Sequence, residues 1–389
     1  MSDPYLPPEV CDYIVDLLHN KPDTLGRCCL VSQSWVPRTR KHLFADIRFL
    51  HCDDLERWKR TFPDPSRSPA HHTHTLTICC PEVATVAGAQ EGGWIRAFSN
   101  VTQLKMLSDV GESVVSLAPF HNFSPALKSL HVASTIFPCT QIFDLICSFR
   151  LLEDLNLFQR RVVIGPIDRD RDIFQPSTSP VLTGTLRVHL PESMEYATRR
   201  LLNLPGGLHF WKLECSCYFE SNLQWMSALV AGCSDTLECV DIEYWISPPS
   251  EQVGPPTVSI DLSRATKLKE AVFRSNTLRV AWLVLALQSI TSEHRYLHQI
   301  SIHVPEVPDL ASHRRAVSEV THRQWMDLDR ILVQLWESHG IRLKVMYFVT
   351  EEKKGIQRER IGGLLPKITE RGVIELEIFV GFCWYRQVF

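Results

Sequence analysis

The feature that most restricts the fold of this 389-residue chain is a short pattern, apolar-x-x-apolar-x-apolar, that keeps returning. It reads Leu127-Lys128-Ser129-Leu130-His131-Val132 and Leu152-Glu153-Asp154-Leu155-Asn156-Leu157, and returns at 210–215, 237–242, 268–273 and 297–302. Looser copies lie at 101–106, 343–347 and 374–378. Where the series is regular, the copies start roughly 25 to 32 residues apart, close to the spacing of leucine-rich repeats. Amphipathic helical stretches fall between them, at 140–149, 222–231, 281–290 and 323–338. In the last of these, Trp325, Leu328, Ile331, Leu332, Leu335 and Trp336 line one side at helical spacing.

Such a unit has a simple physical logic. The alternating segment forms a strand with one face inward, and the helix buries its stripe against that face. Neither is stable alone, so units stack into a solenoid with parallel strands on the concave side. A Leu-rich chain also produces the short motif by chance, and a non-repeating α/β domain is the alternative. The helices recur in phase with the motif, which favours the repeat. The expectation is therefore an α/β chain whose residues 74–389 form a leucine-rich-repeat-like solenoid. The stretch 160–200 fits poorly, since Gly165-Pro166 and Gln175-Pro176-Ser177-Thr178-Ser179-Pro180 suggest loops.

Residues 1–50 read differently. Leu6-Pro7-Pro8-Glu9 starts a helix, because proline in the first turn loses only an N–H that would be unpaired anyway. Val10, Ile14, Leu17 and Leu18 follow at helical spacing. After the break at Asn20-Lys21-Pro22, Asp23 is the expected N-cap of a second helix carrying Leu25, Cys28, Cys29, Val31 and Trp35. Pro37 is expected to end it, with Gly26 a local weakness. So short a unit cannot bury this many apolar side chains internally. It needs the rest of the chain or a partner. Residues 51–73, rich in Pro, Ser and His towards their end, read as a linker.

The charge balance narrows the function. A net charge of −3 lacks the basic footprint of a nucleic-acid or anionic-membrane binder. The most apolar stretch, 280–287, is far shorter than the roughly 20 residues a membrane span needs. Thirteen cysteines at irregular spacing, several in apolar runs (Cys147, Cys239, Cys383), read as reduced thiols. The start, Met1-Ser2-Asp3-Pro4, lacks the basic flank and apolar core of a signal peptide, so a cytoplasmic or nuclear setting is expected.

Catalytic chemistry leaves no signature. His71-His72-Thr73-His74 with Cys79-Cys80 lacks the paired spacing of a zinc site, and Cys215-Ser216-Cys217 has no second pair. There is no nucleophile elbow, zincin helix, P-loop or dinucleotide fingerprint. The charged run Glu351-Glu352-Lys353-Lys354 reads as a solvated turn. The expectation is a non-enzyme with no metal, no cofactor and no catalytic residues.

The run Leu6-Pro7-Pro8-Glu9-Val10, then Ile14 to Leu18, then Leu25 to Trp35 with its Val31-Ser32-Gln33-Ser34-Trp35 ending, resembles an F-box. Its wording is similar to the large F-box-like families of mushroom-forming fungi. The resemblance covers about the first 45 residues. It departs from the family pattern at Gln33-Ser34, where a basic residue is common, and at Gly26 and Cys28-Cys29.

The resemblance implies docking on the Skp adaptor subunit of a cullin–RING (SCF-type) ubiquitin ligase. Leu6, Pro7, Ile14, Leu17, Leu25, Cys28, Val31 and Trp35 would form the apolar contact or its support. The repeat domain would then hold a protein target for ubiquitin-dependent degradation. The strand residues facing its concave surface are expected to be Lys105, His131, Asn156, Glu214, Asp241, Val272 and Ser301. The alternatives are an F-box-like interaction scaffold not linked to degradation, and an enzyme in the large domain.

Overall fold

A computed structural model of the chain describes residues 7–79, 93–108, 117–134, 139–159, 180–245, 259–305, 319–349 and 354–380. It is an α/β structure that divides into two compact units, residues 1–182 and 183–389.

The first unit opens with three short helices: α1 (Pro8–Leu17), α2 (Pro22–Val31) and α3 (Val36–Leu43). Each carries a proline in its first turn, where the missing N–H costs nothing. Two expectations change here. Lys21, not Asp23, is the N-cap of α2, and Asp23 instead lies in its first turn, favourable to the helix dipole. Pro37 starts a helix rather than ending one. The second helix closes at Val31, and a single 3-10 turn at Gln33–Trp35 redirects the chain into α3.

The expected linker is also largely structured. β1 (Asp46–Phe49) is already a sheet strand, followed by α4 (Cys52–Thr61) and two 3-10 turns at Pro65–Arg67 and Pro69–His72. Apolar residues of this stretch explain why. Leu55 is 1% exposed. Trp58 meets Phe44, Phe49, Phe62 and Phe98, with ring centroids 4.7–6.0 Å apart, an aromatic cluster that closes this end of the core.

The unit continues through β2 (Thr75–Ile78), α5 (Gly93–Arg96), β3 (Gln103–Ser108), β4 (Ser129–Ser134), α6 (Cys139–Ser148) and β5 (Asp154–Gln159). Its strands pair in chain order, all parallel.

The second unit runs β6 (Thr185–His189), α7 (Met194–Leu202), β7 (Lys212–Cys217), α8 (Asn222–Gly232), β8 (Cys239–Tyr244), β9 (Glu270–Ser275) and α9 (Ala281–Gln288). It then adds β10 (Gln299–Val304), α10 (Glu319–His339), β11 (Arg342–Val349), α11 (Lys354–Leu364), α12 (Pro366–Glu370) and β12 (Ile374–Val380). These strands too pair in chain order and parallel. In β6 and α7 the second unit carries a strand and helix in the stretch that fits the repeat poorly by sequence. Leu186, Val188, Ala197 and Leu201 are buried there.

Each full copy of the apolar motif becomes a strand that starts two residues after the motif's first apolar position. That first residue (Leu127, Leu152, Phe210, Leu237, Leu268, Leu297) is buried beneath the strand's entry. A second repeat is visible only in the backbone. Two successive N–H groups at the entry of one strand share one carbonyl from the preceding rung. Glu153 and Asp154 donate to Lys128, Glu238 and Cys239 to Trp211, Lys269 and Glu270 to Glu238, and His298 and Gln299 to Lys269. This shared acceptor pairs groups that would otherwise be buried and unbonded, and it fixes each register to its neighbour. Among the described residues, no helix is long and apolar enough to cross a membrane.

Candidate functional site

Two kinds of surface stand out: the N-terminal helices of the first unit and the sheet face of each unit. In the first unit, α1 and α2 turn only part of their apolar residues inward. Val15, Leu25 and Cys28 are buried, while Tyr13 is 65% exposed, Leu17 63%, Leu30 87% and Val31 71%. The helical wheel of α1 explains the split. Val10, Tyr13 and Leu17 share one stripe, which faces outward. Cys11, Val15 and Leu18 share another, with Ile14 half-buried between the two. Large apolar side chains standing together on a surface mark a place for a partner more often than an isolated one does.

A charged clasp ties α1 to α3. The Asp16 carboxylate on α1 receives Arg38 Nε at 2.7 Å and meets His42 Nε2 at 2.7 Å, both one turn apart on α3. The Arg38 hydrogen bond, aided by His42, holds this carboxyl well below the usual carboxylate range. Thr39, buried on α3, donates its hydroxyl to the Trp35 carbonyl at 2.7 Å.

The eight residues expected at an adaptor contact are thus sorted by the fold. Pro7, Leu17 and Val31 are exposed, and Ile14 and Trp35 are half-buried. Leu25 and Cys28 face inward, so they can only support the surface. Leu6 lies outside the described residues. Tyr13 and Leu30 belong to the exposed set and were missing from the expected one. The signal for Tyr13 was present: it stands four residues before Leu17, on the same stripe.

The sheet faces carry the second candidate. Lys105, His131 and Asn156 are successive register partners in the first unit. Glu214, Asp241, Val272 and Ser301 are successive register partners in the second. Each set forms a row across its strands, on the face opposite the buried Leu positions, as the alternation of strand side chains requires. Six of the seven are half-buried. Ser301 is 1% exposed, a correction to its expected place on an open surface, and its hydroxyl receives Gln299 Nε2 at 3.3 Å.

The row in the second unit is ion-paired. Glu214 takes Arg187 Nε at 2.5 Å and Lys212 Nζ at 2.7 Å, and Asp241 takes Arg274 Nη2 at 2.6 Å. Burial works to raise the Glu214 carboxyl, but its two cations outweigh that and bring it below the ordinary value. For Asp241 burial wins, and its carboxyl is pushed up to about 6.

One step along the same strands, the Ser216 hydroxyl donates to Glu243 Oε2 at 2.7 Å and lies 2.7 Å from His189 Nδ1. A hydrolytic nucleophile needs its proton directed at a base, and access to substrate. Ser216 is buried, with its proton on a carboxylate. The chain of bonds acts instead as a clamp across β6, β7 and β8.

The remaining sequence candidates stay apart. His71 and His72 lie side by side with tilted rings, their centroids 3.9 Å apart, and no three His, Cys, Asp or Glu side chains gather into a metal-binding group among the described residues. Cys215 and Cys217 are buried on one strand, and burial pushes the Cys217 thiol up to about 12. Neither is a reactive thiolate. Cys80, Cys383 and the 351–353 charged run lie outside the described residues.

No protein-family model matches the chain, and a search of curated proteins finds no relative.

Proposed function

We propose that the chain is a substrate-recognition adaptor of a cullin–RING ubiquitin ligase. Its N-terminal helices dock as an F-box on a Skp-type adaptor, and its leucine-rich-repeat-like strands hold a protein target. The observation that carries this reading is the set of outward apolar residues, Tyr13 and Leu17 on α1 and Leu30 and Val31 on α2, with α1 tied to α3 through Asp16. Leaving those side chains in water forgoes roughly 1.5–3 kcal/mol for each that a partner could bury. Trp35, half-buried at the edge of the same helices, suits an aromatic anchor.

The adaptor supplies proximity rather than chemistry. A target bound on the sheet face is presented to the ligase's own catalytic subunits at high effective concentration. No step needs a nucleophile, metal or cofactor from this chain.

The test is capture of a fungal Skp-type adaptor by the full chain. Capture is expected from the wild type and lost in the Leu17→Ala, Trp35→Ala double variant, with the fold checked by circular dichroism. Equal capture by a folded double variant overturns the reading. A bound target whose lifetime does not change when adaptor capture is lost assigns the chain to a scaffold role without degradation.

A further inference from the structure

Arg274 stands opposite one carboxylate and is bonded to another. On the paired strands β8 and β9, its direct cross-strand neighbour is Glu243. Its Nη2 instead donates diagonally to Asp241 Oδ2 at 2.6 Å. Glu243 meanwhile accepts the Ser216 hydroxyl at 2.7 Å. Direct and diagonal partners on one sheet face both lie within reach of a long side chain. One guanidinium therefore stands between two carboxylates that sit two residues apart on the same face of β8, and is bonded to one of them.

We propose that Arg274 is a two-position clasp, which holds Asp241 while Asp241 is ionised and moves to Glu243 when Asp241 takes up a proton. This device goes beyond the adaptor reading and does not depend on it.

The surroundings decide which group titrates. Asp241 faces Lys212 and Glu214 from β7, Cys239 and Glu243 from its own strand, and Glu270 and Arg274 from β9. Lys212 and Arg187 are both drawn to Glu214, so Arg274 is the cation bonded to Asp241 among the described residues. Burial lifts the Asp241 carboxyl to about 6 in spite of that bond. It lowers His189 on β6, and takes His303 on β10 down to about 3. On mild acidification Asp241 therefore protonates before His303 does. The sheet face then gains one positive charge and exchanges one ion pair for another.

The test follows the side-chain Nε–H signal of Arg274 by nuclear magnetic resonance of the full chain from pH 8 to pH 5, with the signal assigned by its loss in Arg274→Lys. The wild type should show one transition with a midpoint near 6. Asp241→Asn, neutral at every pH, should hold the signal at its acid position throughout. Glu243→Gln should keep the transition but end at a different acid position, because the second carboxylate is gone. A signal that does not move in the wild type overturns the proposal. So does a transition that persists in Asp241→Asn, or a Glu243→Gln variant that reaches the wild-type acid position. If Asp241→Asn does not fold, the wild-type and Glu243→Gln titrations decide between these outcomes alone.

Discussion

Asp16 and Asp241 respond to pH in opposite ways, and each reports on a different part of the molecule. The Asp16 carboxyl lies below its ordinary value of 3.8 because Arg38 and His42 bond its ionised form. Its contribution to stability is present above that value and is lost as the pH falls further. Asp241 is raised, so its ionised form opposes folding, and stability is gained as the pH drops from about 6 towards 3.8. In urea unfolding across this range, the stability difference between wild type and Asp241→Asn should change with pH, while that between wild type and Asp16→Asn should stay flat until below pH 4. A flat Asp241→Asn difference from pH 4 to 6 contradicts the assignment. The N-terminal leucines divide as cleanly. Leu25→Ala opens a buried site and should cost about 2–5 kcal/mol. Leu17→Ala, on the exposed stripe, should change stability by no more than about 0.5 kcal/mol. The sequence shows both residues only as apolar positions on short helices. Which of them faces inward depends on where α3 sits, and Pro37 reads by sequence as the end of a helix rather than the start of one.

At the level of elements, the strands with the full motif were readable because a buried residue precedes each one and alternation follows it. β1 and β6 were not. Four or five residues carry too little alternation to stand out, and both owe their place to the rungs beside them. The supposed linker was misread for a related reason. Pro, Ser and His between 63 and 74 signal turns, and turns they form. The signal hides α4 just before them, whose Leu55 is buried and whose half-buried Trp58 packs on Phe98. Leu55→Ala should therefore destabilise the first unit by about 2–5 kcal/mol in denaturant unfolding. A change below about 0.5 kcal/mol would return this stretch to the status of a tether. The buried strand and helix thiols make a parallel prediction. Cys147, Cys215, Cys217 and Cys233 should resist alkylation in the native protein and react only on unfolding, as read by mass spectrometry.

Taken whole, the chain has its two candidate surfaces on different elements: outward apolar residues on the N-terminal helices, and polar rows on the sheet that are ion-paired in the second unit. The sheet rows came out of the sequence nearly residue for residue, since a parallel register copies one alternation across every strand. Their closed ion pairs did not, because a cation can pair along its strand, directly across or diagonally, and the choice depends on side-chain reach rather than on spacing. On the proposed adaptor role, the outward apolar residues of the N-terminal helices form a docking surface and add nothing to the fold's own stability. Calorimetric titration of a purified Skp-type adaptor into the full chain, with wild type beside Leu17→Asp and Leu30→Asp, tests it directly. Saturable binding by the wild type, weakened at least tenfold in each variant at an unchanged melting temperature, is the predicted result. No binding by the wild type, or unweakened binding by the variants, contradicts it.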